Sequence, residues 1–323
     1  MLKLEKWDKI WIISVANNLD PEKLESYGIQ SFKRIMQDHL GFELIFGKNI
    51  LLPIQWTNPQ KRAQDFNNFL KDDSIKMIWP IGWWAFTNEI LPFIDWETLK
   101  NNPKIICGYS DITALNNAIY AKTWIVSFSG PTPGSFSPSR FANLENFLYF
   151  KKMIIDNEDV ELVSNSQYFD YTADKEIYPD QIIDDGGLQV VKRWKWEWII
   201  IWGNISTFAL LFGTEFMPDL ENKVLFLEEC GESSIWTIRR QLMWLKQQKK
   251  FDKIAGVVFG RINQECLKDY DITWEETVQD FSKDINAPVL MNAQFGHISP
   301  IQTFPIWGKM SIDTKIEKYF IQR

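Results

Sequence analysis

The sequence predicts an α/β protein: an N-terminal parallel-sheet domain followed by a C-terminal α/β domain. Three observations lead there. Short β-rich runs alternate with helical patterns from residue 9 to residue 128, the rhythm breaks over residues 132–185, and a second alternation runs from residue 188 to residue 292. Strands and helices alternating at this spacing build a parallel sheet with helices on both faces.

In order, residues 9–15 (KIWIISV) form a first apolar strand and residues 21–40 a helix. Residues 43–46 are a strand, 58–71 a helix, 76–81 a strand and 88–93 the start of a helical turn. Residues 104–107 (KIIC) are a fourth strand, and the helix after them places Ile112, Leu115 and Ile119 on one face. Residues 125–128 close the series. Residues 131–138 are rich in Pro, Ser and Gly, and an acidic, Tyr-bearing stretch ends at Asp184-Asp-Gly-Gly187. This region predicts a linker with local helix. Strands then follow at 188–191, 198–202, 224–227, 254–259 and 288–292, with helices at 233–248 and 274–283. The expected division is residues 1–131, a connecting segment 132–185, and residues 186–323.

Composition narrows the function. The chain has 323 residues, 45% hydrophobic and 24% charged, and no apolar run approaches the roughly 20 residues of a membrane helix. Its first residues, Met1-Leu-Lys-Leu-Glu-Lys, are charged and lead straight into a strand, so no signal peptide is expected. A net charge of −7 without a Lys/Arg tract argues against nucleic acid or an anionic membrane as partner. Three scattered cysteines, Cys107, Cys230 and Cys266, fit a reducing compartment, and a cytoplasmic protein is expected. With only His39 and His297, no His-rich metal site is expected. His39, late in a helix near Gly41, reads as a partner of the helix C-terminus. One count is abnormal: Trp, at 16, equals Gly.

Functional groups of open parallel sheets collect at the carboxyl ends of strands. Those ends carry Ser14, the segment 82–88, Gly108-Tyr-Ser-Asp111, Glu228-Glu229, Gly260-Arg261 and Phe295-Gly-His297. Ser110 lies on a tight strand-to-helix turn, which lifts its hydroxyl above the sheet near a helix N-terminus. The plainer explanation is that Ser110 caps the helix, and Ile112 stands where a hydrolase elbow has Gly. His297 reads as a base or a structural histidine, and Glu228 and Glu229 as an orienting acid or exposed loop acids. Together they supply a nucleophile, an acid and a base in the order Ser, Glu, His.

Several strings carry a family resemblance: Asn102-Pro-Lys-Ile-Ile-Cys-Gly-Tyr-Ser-Asp-Ile-Thr-Ala-Leu115, Ser129-Gly-Pro131, Gly203-Asn204, Pro218-Asp-Leu-Glu-Asn-Lys-Val-Leu-Phe-Leu-Glu-Glu229, Ile254-Ala-Gly-Val-Val-Phe-Gly-Arg261 and Phe295-Gly-His-Ile298. By them the chain resembles, nearly end to end, the LD-carboxypeptidase and microcin C self-immunity family of serine peptidases. The resemblance implies a Rossmann-like N-terminal domain, a C-terminal α/β domain, an active site at their interface, and a homodimer. It implies Ser110 as nucleophile, His297 as general base and Glu228, rather than Glu229, as the acid that orients the imidazole. Backbone N–H groups of Asp111 and of the Trp83-Trp84 turn are the implied oxyanion hole. No metal and no organic cofactor is expected. The implied substrate is a small peptide, through the L,D-bond of murein tetrapeptides in peptidoglycan recycling, or an aminoacyl-nucleotide of the microcin C type.

The chain departs from the family at glycines. Trp83 and Trp84 stand where Gly-Gly is expected, and Trp7, Trp11, Trp124, Trp202 and Trp307 stand at further family glycines, with Trp194 and Trp198 similar. Glycine serves positive φ or close backbone approach, which a large side chain strains. One cause would cover all these exchanges: UGA codons read as glycine in the cell and written as tryptophan in translation. Trp96, where an aromatic is expected, is then a true tryptophan. If the tryptophans are real, the alternative is a catalytically impaired family member acting as a binding or scaffold protein.

Overall fold

The computed structural model describes residues 2–16, 29–50, 58–81, 85–136, 143–170, 181–192, 197–231, 233–268, 270–313 and 318–322. Trp83, Trp84 and Trp194 lie outside the described residues, as does the first part of the helix expected over 21–40.

The N-terminal half runs β1 (Lys9–Ile13), α1 (Ile29–Lys33), β2 (Glu43–Phe46), α2 (Pro59–Leu70), β3 (Ile75–Pro80), α3 (Thr87–Ile90), α4 (Trp96–Asn101), β4 (Ile105–Ile106), α5 (Ile112–Thr123) and β5 (Ser127–Ser129). After α1 the helix continues as a wider π turn over Arg34–His39, so His39 does sit in its last turn. The first four strands form a parallel sheet in the order β2-β1-β3-β4. In β3, Ile75, Met77, Ile78 and Trp79 are all buried, the signature of a strand covered on both faces. Helix α2 begins where Asn58 accepts the Lys61 N–H at 2.9 Å, and it turns Ala63, Phe66, Phe69 and Leu70 inward. A parallel bridge between Cys107 and Phe128 carries the sheet towards β5.

Residues 132–185 hold more structure than their Pro-rich, polar composition suggests. They contain α6 (Asn143–Phe150) and three short strands, β6 (Val160–Glu161), β7 (Gln167–Asp170) and β8 (Gln181–Asp184). Strands this short leave little periodicity; β6 pairs with β17 and β7 with β14, both distant in sequence, and β8 pairs with β7.

The C-terminal half runs β9 (Gln189–Lys192), β10 (Trp198–Asn204), α7 (Ile205–Ala209), β11 (Lys223–Glu228), α8 (Ile235–Lys246), β12 (Gly256–Gly260), α9 (Trp274–Ser282) and β13 (Val289–Ala293). The last thirty residues add β14 (Ile298–Ser299), β15 (Phe304–Ile306), β16 (Lys309–Asp313) and β17 (Lys318–Gln322). The large sheet has the order β6-β17-β16-β10-β11-β12-β13-β9, parallel from β10 to β13, with antiparallel neighbours on either side. Strand β15 pairs antiparallel with β5, and β14 with β7, so the C-terminal segment closes onto earlier parts of the chain. The buried side chains of both halves join in one apolar core. No helix among the described residues is long and apolar enough to cross a membrane.

Candidate active site

Three strand ends meet in one place. Ser110 follows β4, Glu228 ends β11, and His297 follows β13. His297 Nε2 lies 2.9 Å from Ser110 Oγ, and His297 Nδ1 lies 2.7 Å from Glu228 Oε2. A hydroxyl 110 residues into the chain and a histidine 187 residues later therefore share a hydrogen bond across the two halves.

The local sequence explains the serine's pose. Ser110 has φ of 60°, in the left-handed region that a non-glycine residue adopts at a cost. Gly108 enters the turn, where a Cβ would meet Ile112 at 3.1 Å. Asn116 Nδ2 donates to Gly108 O at 3.1 Å and Phe128 O at 3.3 Å, bracing the turn from inside α5. Ser110 does not act as the helix cap: Asp111 holds that position, and the Ser110 hydroxyl faces His297. The Asp111 carboxylate accepts the Thr87 N–H at 2.7 Å, tying the turn to α3.

His297 follows Gly296, whose φ of +115° swings the chain out of β13. A Cβ on Gly296 would lie 2.6 Å from Arg261 O and 3.2 Å from Glu228 Cβ. Glu228 is fully buried, the imidazole is about one-fifth exposed, and the Tyr109 ring packs against it at 5.1 Å. With Nδ1–H held by a carboxylate, Nε2 presents its lone pair to the Ser110 hydroxyl. Such an arrangement can generate an alkoxide nucleophile and store its proton on an imidazolium.

Glu229 turns the other way. Its Oε1 accepts from Asn204 Nδ2 at 2.8 Å and Cys230 N at 2.9 Å; its Oε2 accepts from Ser206 N at 2.9 Å and Ser206 Oγ at 2.5 Å. Burial, helped by the neighbouring Glu228 charge, raises its carboxyl above the ordinary range against those four donors. Asn204 also caps α7, and its own N–H donates to Thr113 Oγ1 at 3.0 Å, so one network joins β10, β11 and α5. The sequence reading named Glu229 without this role and missed Ser206. The available signal was Asn204 itself, an amide placed just ahead of a helical run.

Arg261, named only as a strand-end residue, is also buried. It forms a two-point ion pair with Asp185 at 2.7 and 2.6 Å, donates to Gln294 Oε1 at 2.7 Å, and lies over the Tyr168 ring. These contacts pin the segment before β9 onto the end of β12. Ser14, just after β1, is buried and donates to Ala16 O at 3.4 Å. Of the expected oxyanion residues, Asp111 is beside Ser110, while Trp83 and Trp84 are outside the described residues.

Comparison with known proteins places this fold. A family model described as the LD-carboxypeptidase N-terminal domain matches residues 10–130, and one described as the C-terminal domain matches residues 199–312. The fold and these matches define the class: a peptidase, and so a hydrolase. The chain belongs to the LD-carboxypeptidase family. It is 30% identical over 319 residues to "Putative carboxypeptidase YocD" of Bacillus subtilis, covering 96% of this chain and 95% of that one. It is 31% identical to the microcin C7 self-immunity protein MccF of Escherichia coli, over 79% of this chain and 76% of that one. The crystal structure of an MccF-like protein from Bacillus anthracis superposes with a TM-score of 0.87 at 32% identity, covering 99% of this chain and 98% of that chain.

Proposed function

We propose that this protein is a serine peptidase in which Ser110 attacks, His297 moves the proton and Glu228 orients and balances the imidazole. The observation that carries the reading is the continuous hydrogen-bonded line from Glu228 through His297 to Ser110, at 2.7 and 2.9 Å. His297 Nε2 takes the Ser110 proton as Oγ adds to the scissile carbonyl. The imidazolium then gives that proton to the leaving amine, and an acyl-serine remains. Water, activated by the same nitrogen, releases the acyl group. The Asp111 N–H and the 83–84 turn are the proposed donors to the oxyanion. In this reading residues 1–131 supply the nucleophile and residues 186–323 the acid and base.

The proposed substrate is a small molecule with an amide next to a free or nucleotide-linked end. Two named relatives support its two forms: "Probable murein peptide carboxypeptidase" of Bacillus subtilis, 26% identical over 317 residues, and MccF, of which a mutant was crystallised with adenosine monophosphate. A homodimer and a cytoplasmic site of action belong to the same reading; three cysteines scattered along the chain suit the latter. A fluorophosphonate probe tests the chemistry: it should label the wild-type protein at Ser110 and fail on Ser110→Ala. Hydrolysis of a murein tetrapeptide, set against that of an aminoacyl-sulfamoyl adenosine, then assigns the substrate. Labelling elsewhere, or equal turnover in wild type and Ser110→Ala, would remove Ser110 as nucleophile, and absence of both labelling and turnover would favour a binding protein.

A further inference from the structure

Eight non-glycine residues among those described have positive φ, and three of them are tryptophans: Trp7 at 77°, Trp124 at 64° and Trp307 at 75°. Three others are asparagines, which tolerate this region; a bulky aromatic does not. Trp124 follows the last residue of α5 in left-handed conformation, its N–H bonded to Tyr120 O at 2.9 Å. That is the position where helices end on glycine. Trp7 and Trp124 are 74% and 72% exposed, so neither has a core to fill that would offset the strain.

The examples that pack against the core are crowded. The Trp307 ring centroid lies 3.2 Å from that of Tyr120, and the Trp11 centroid 3.3 Å from that of Phe69 at an interplanar angle of 64°. Aromatic pairs settle at about 4.5–7 Å between centroids, so these rings occupy space that their neighbours already fill. The indole N–H groups of Trp11, Trp202 and Trp307, and that of Trp274 outside the family glycine positions, are buried without a hydrogen-bond partner among the described residues, although buried indoles usually find one. Trp79 shows what a fitted tryptophan looks like in the same protein. It stacks on Phe150 at 4.5 Å and donates to Pro131 O at 3.0 Å.

Strain at one tryptophan would be an oddity. Three left-handed backbones, two overfilled ring sites and three orphaned indoles, shared among five residues, call for a common cause. We propose that Trp7, Trp11, Trp124, Trp202 and Trp307 are glycine in the protein as the source cell makes it, each encoded by a UGA codon decoded there as glycine. Glycine restores all five sites at once. It accepts φ near +70° freely, removes the overlapping ring, and leaves no indole to satisfy.

Codons and peptide masses test this without any assay of activity. The gene should carry UGA at these five positions and UGG at Trp79. Peptide mass spectrometry of the protein from its source cell should then read glycine at all five. UGG at Trp7, Trp124 and Trp307, or tryptophan in the source peptides, overturns the proposal. Purified protein gives a second measurement. Trp7→Gly, Trp124→Gly and Trp307→Gly should each move the urea midpoint upward from that of the chain as written, whereas Trp79→Gly should move it down. Downward shifts in all four would show that the rings contribute to the fold, and the proposal would fail.

Discussion

Glutamine at Glu228 keeps the size of the side chain and removes its charge, so it isolates what the carboxylate does for His297. The carboxylate is fully buried and holds Nδ1–H at 2.7 Å. When the imidazole takes the Ser110 proton, a positive charge forms with its centre about 4 Å from the carboxylate; at an effective dielectric constant of about 20 that attraction is about 4 kcal/mol. Losing it from the transition state slows turnover by about a thousandfold, at roughly 1.4 kcal/mol per decade. Glutamine brings a second cost. Oε1 has no partner among the described residues, so an amide that keeps its oxygen on Nδ1–H turns its NH2 into a place without an acceptor. An amide turned the other way sets donor against donor and drives the imidazole into the tautomer that cannot accept from Ser110. The assay is kcat and kcat/KM across pH for the substrate that wild type hydrolyses, with urea unfolding as a control for folding. The acid limb of kcat/KM should move to lower pH, because the imidazolium has lost its counter-charge. A Glu228→Gln protein within tenfold of wild type, with an unmoved acid limb, refutes the assignment of Glu228.

Ser110→Ala and His297→Ala should each remove nearly all turnover, and the double variant should be no slower than either, because the groups act as a unit. Glu228→Gln should retain more activity than both. Glu229→Gln should lower unfolding free energy by about 2–3 kcal/mol, since its amide faces two of four buried donors. The folded protein holds the Glu229 proton more tightly than the unfolded chain does, so that contribution is full below the ordinary value of 4.5 and is lost as pH rises through the raised value. The stability gap between wild type and Glu229→Gln should therefore narrow above pH 4.5, as chemical denaturation at several pH values would record. Burial pushes the Cys107 and Cys266 thiols up, so a thiol reagent should modify half-buried Cys230 first and the other two only in denaturant. Gly296→Ala should cost about 1–3 kcal/mol for its left-handed backbone and reduce kcat, because the new methyl meets Arg261 O and presses on Glu228.

The alternating strands and helices were legible because most central strands are buried on both faces and read as plain apolar runs. Strands β14 to β17 were not, and no element was assigned after residue 292. They are two to five residues long, and β15 contains Pro305. What makes β15 a strand is its pairing with β5, some 175 residues earlier, a contact no local pattern records. The short strands β6 and β7 escaped for the same reason, and β8 rests on β7. Trp83 and Trp84, read as the oxyanion turn, lie outside the described residues.

The acid beside His297 shows where residue reading stops. Glu228 and Glu229 are adjacent, identical in chemistry and both fully buried, so hydropathy and position give no preference between them. Successive side chains of a strand point to opposite faces, and only the register of β11 between β10 and β12 decides which face looks at the histidine. In that register Glu228 lies opposite Asn204 at the strand end, and its carboxylate meets His297. Glu229, one step on, meets the Asn204 and Ser206 side chains instead. Family resemblance selected Glu228 where the residues alone left the choice open. A slip of one residue in β11 would exchange the two carboxylates and leave His297 without its partner. The network around Glu229 opposes that slip, since its four donors come from β10, the start of α7 and the adjoining Cys230. The second acid thus holds in place the strand that aims the first.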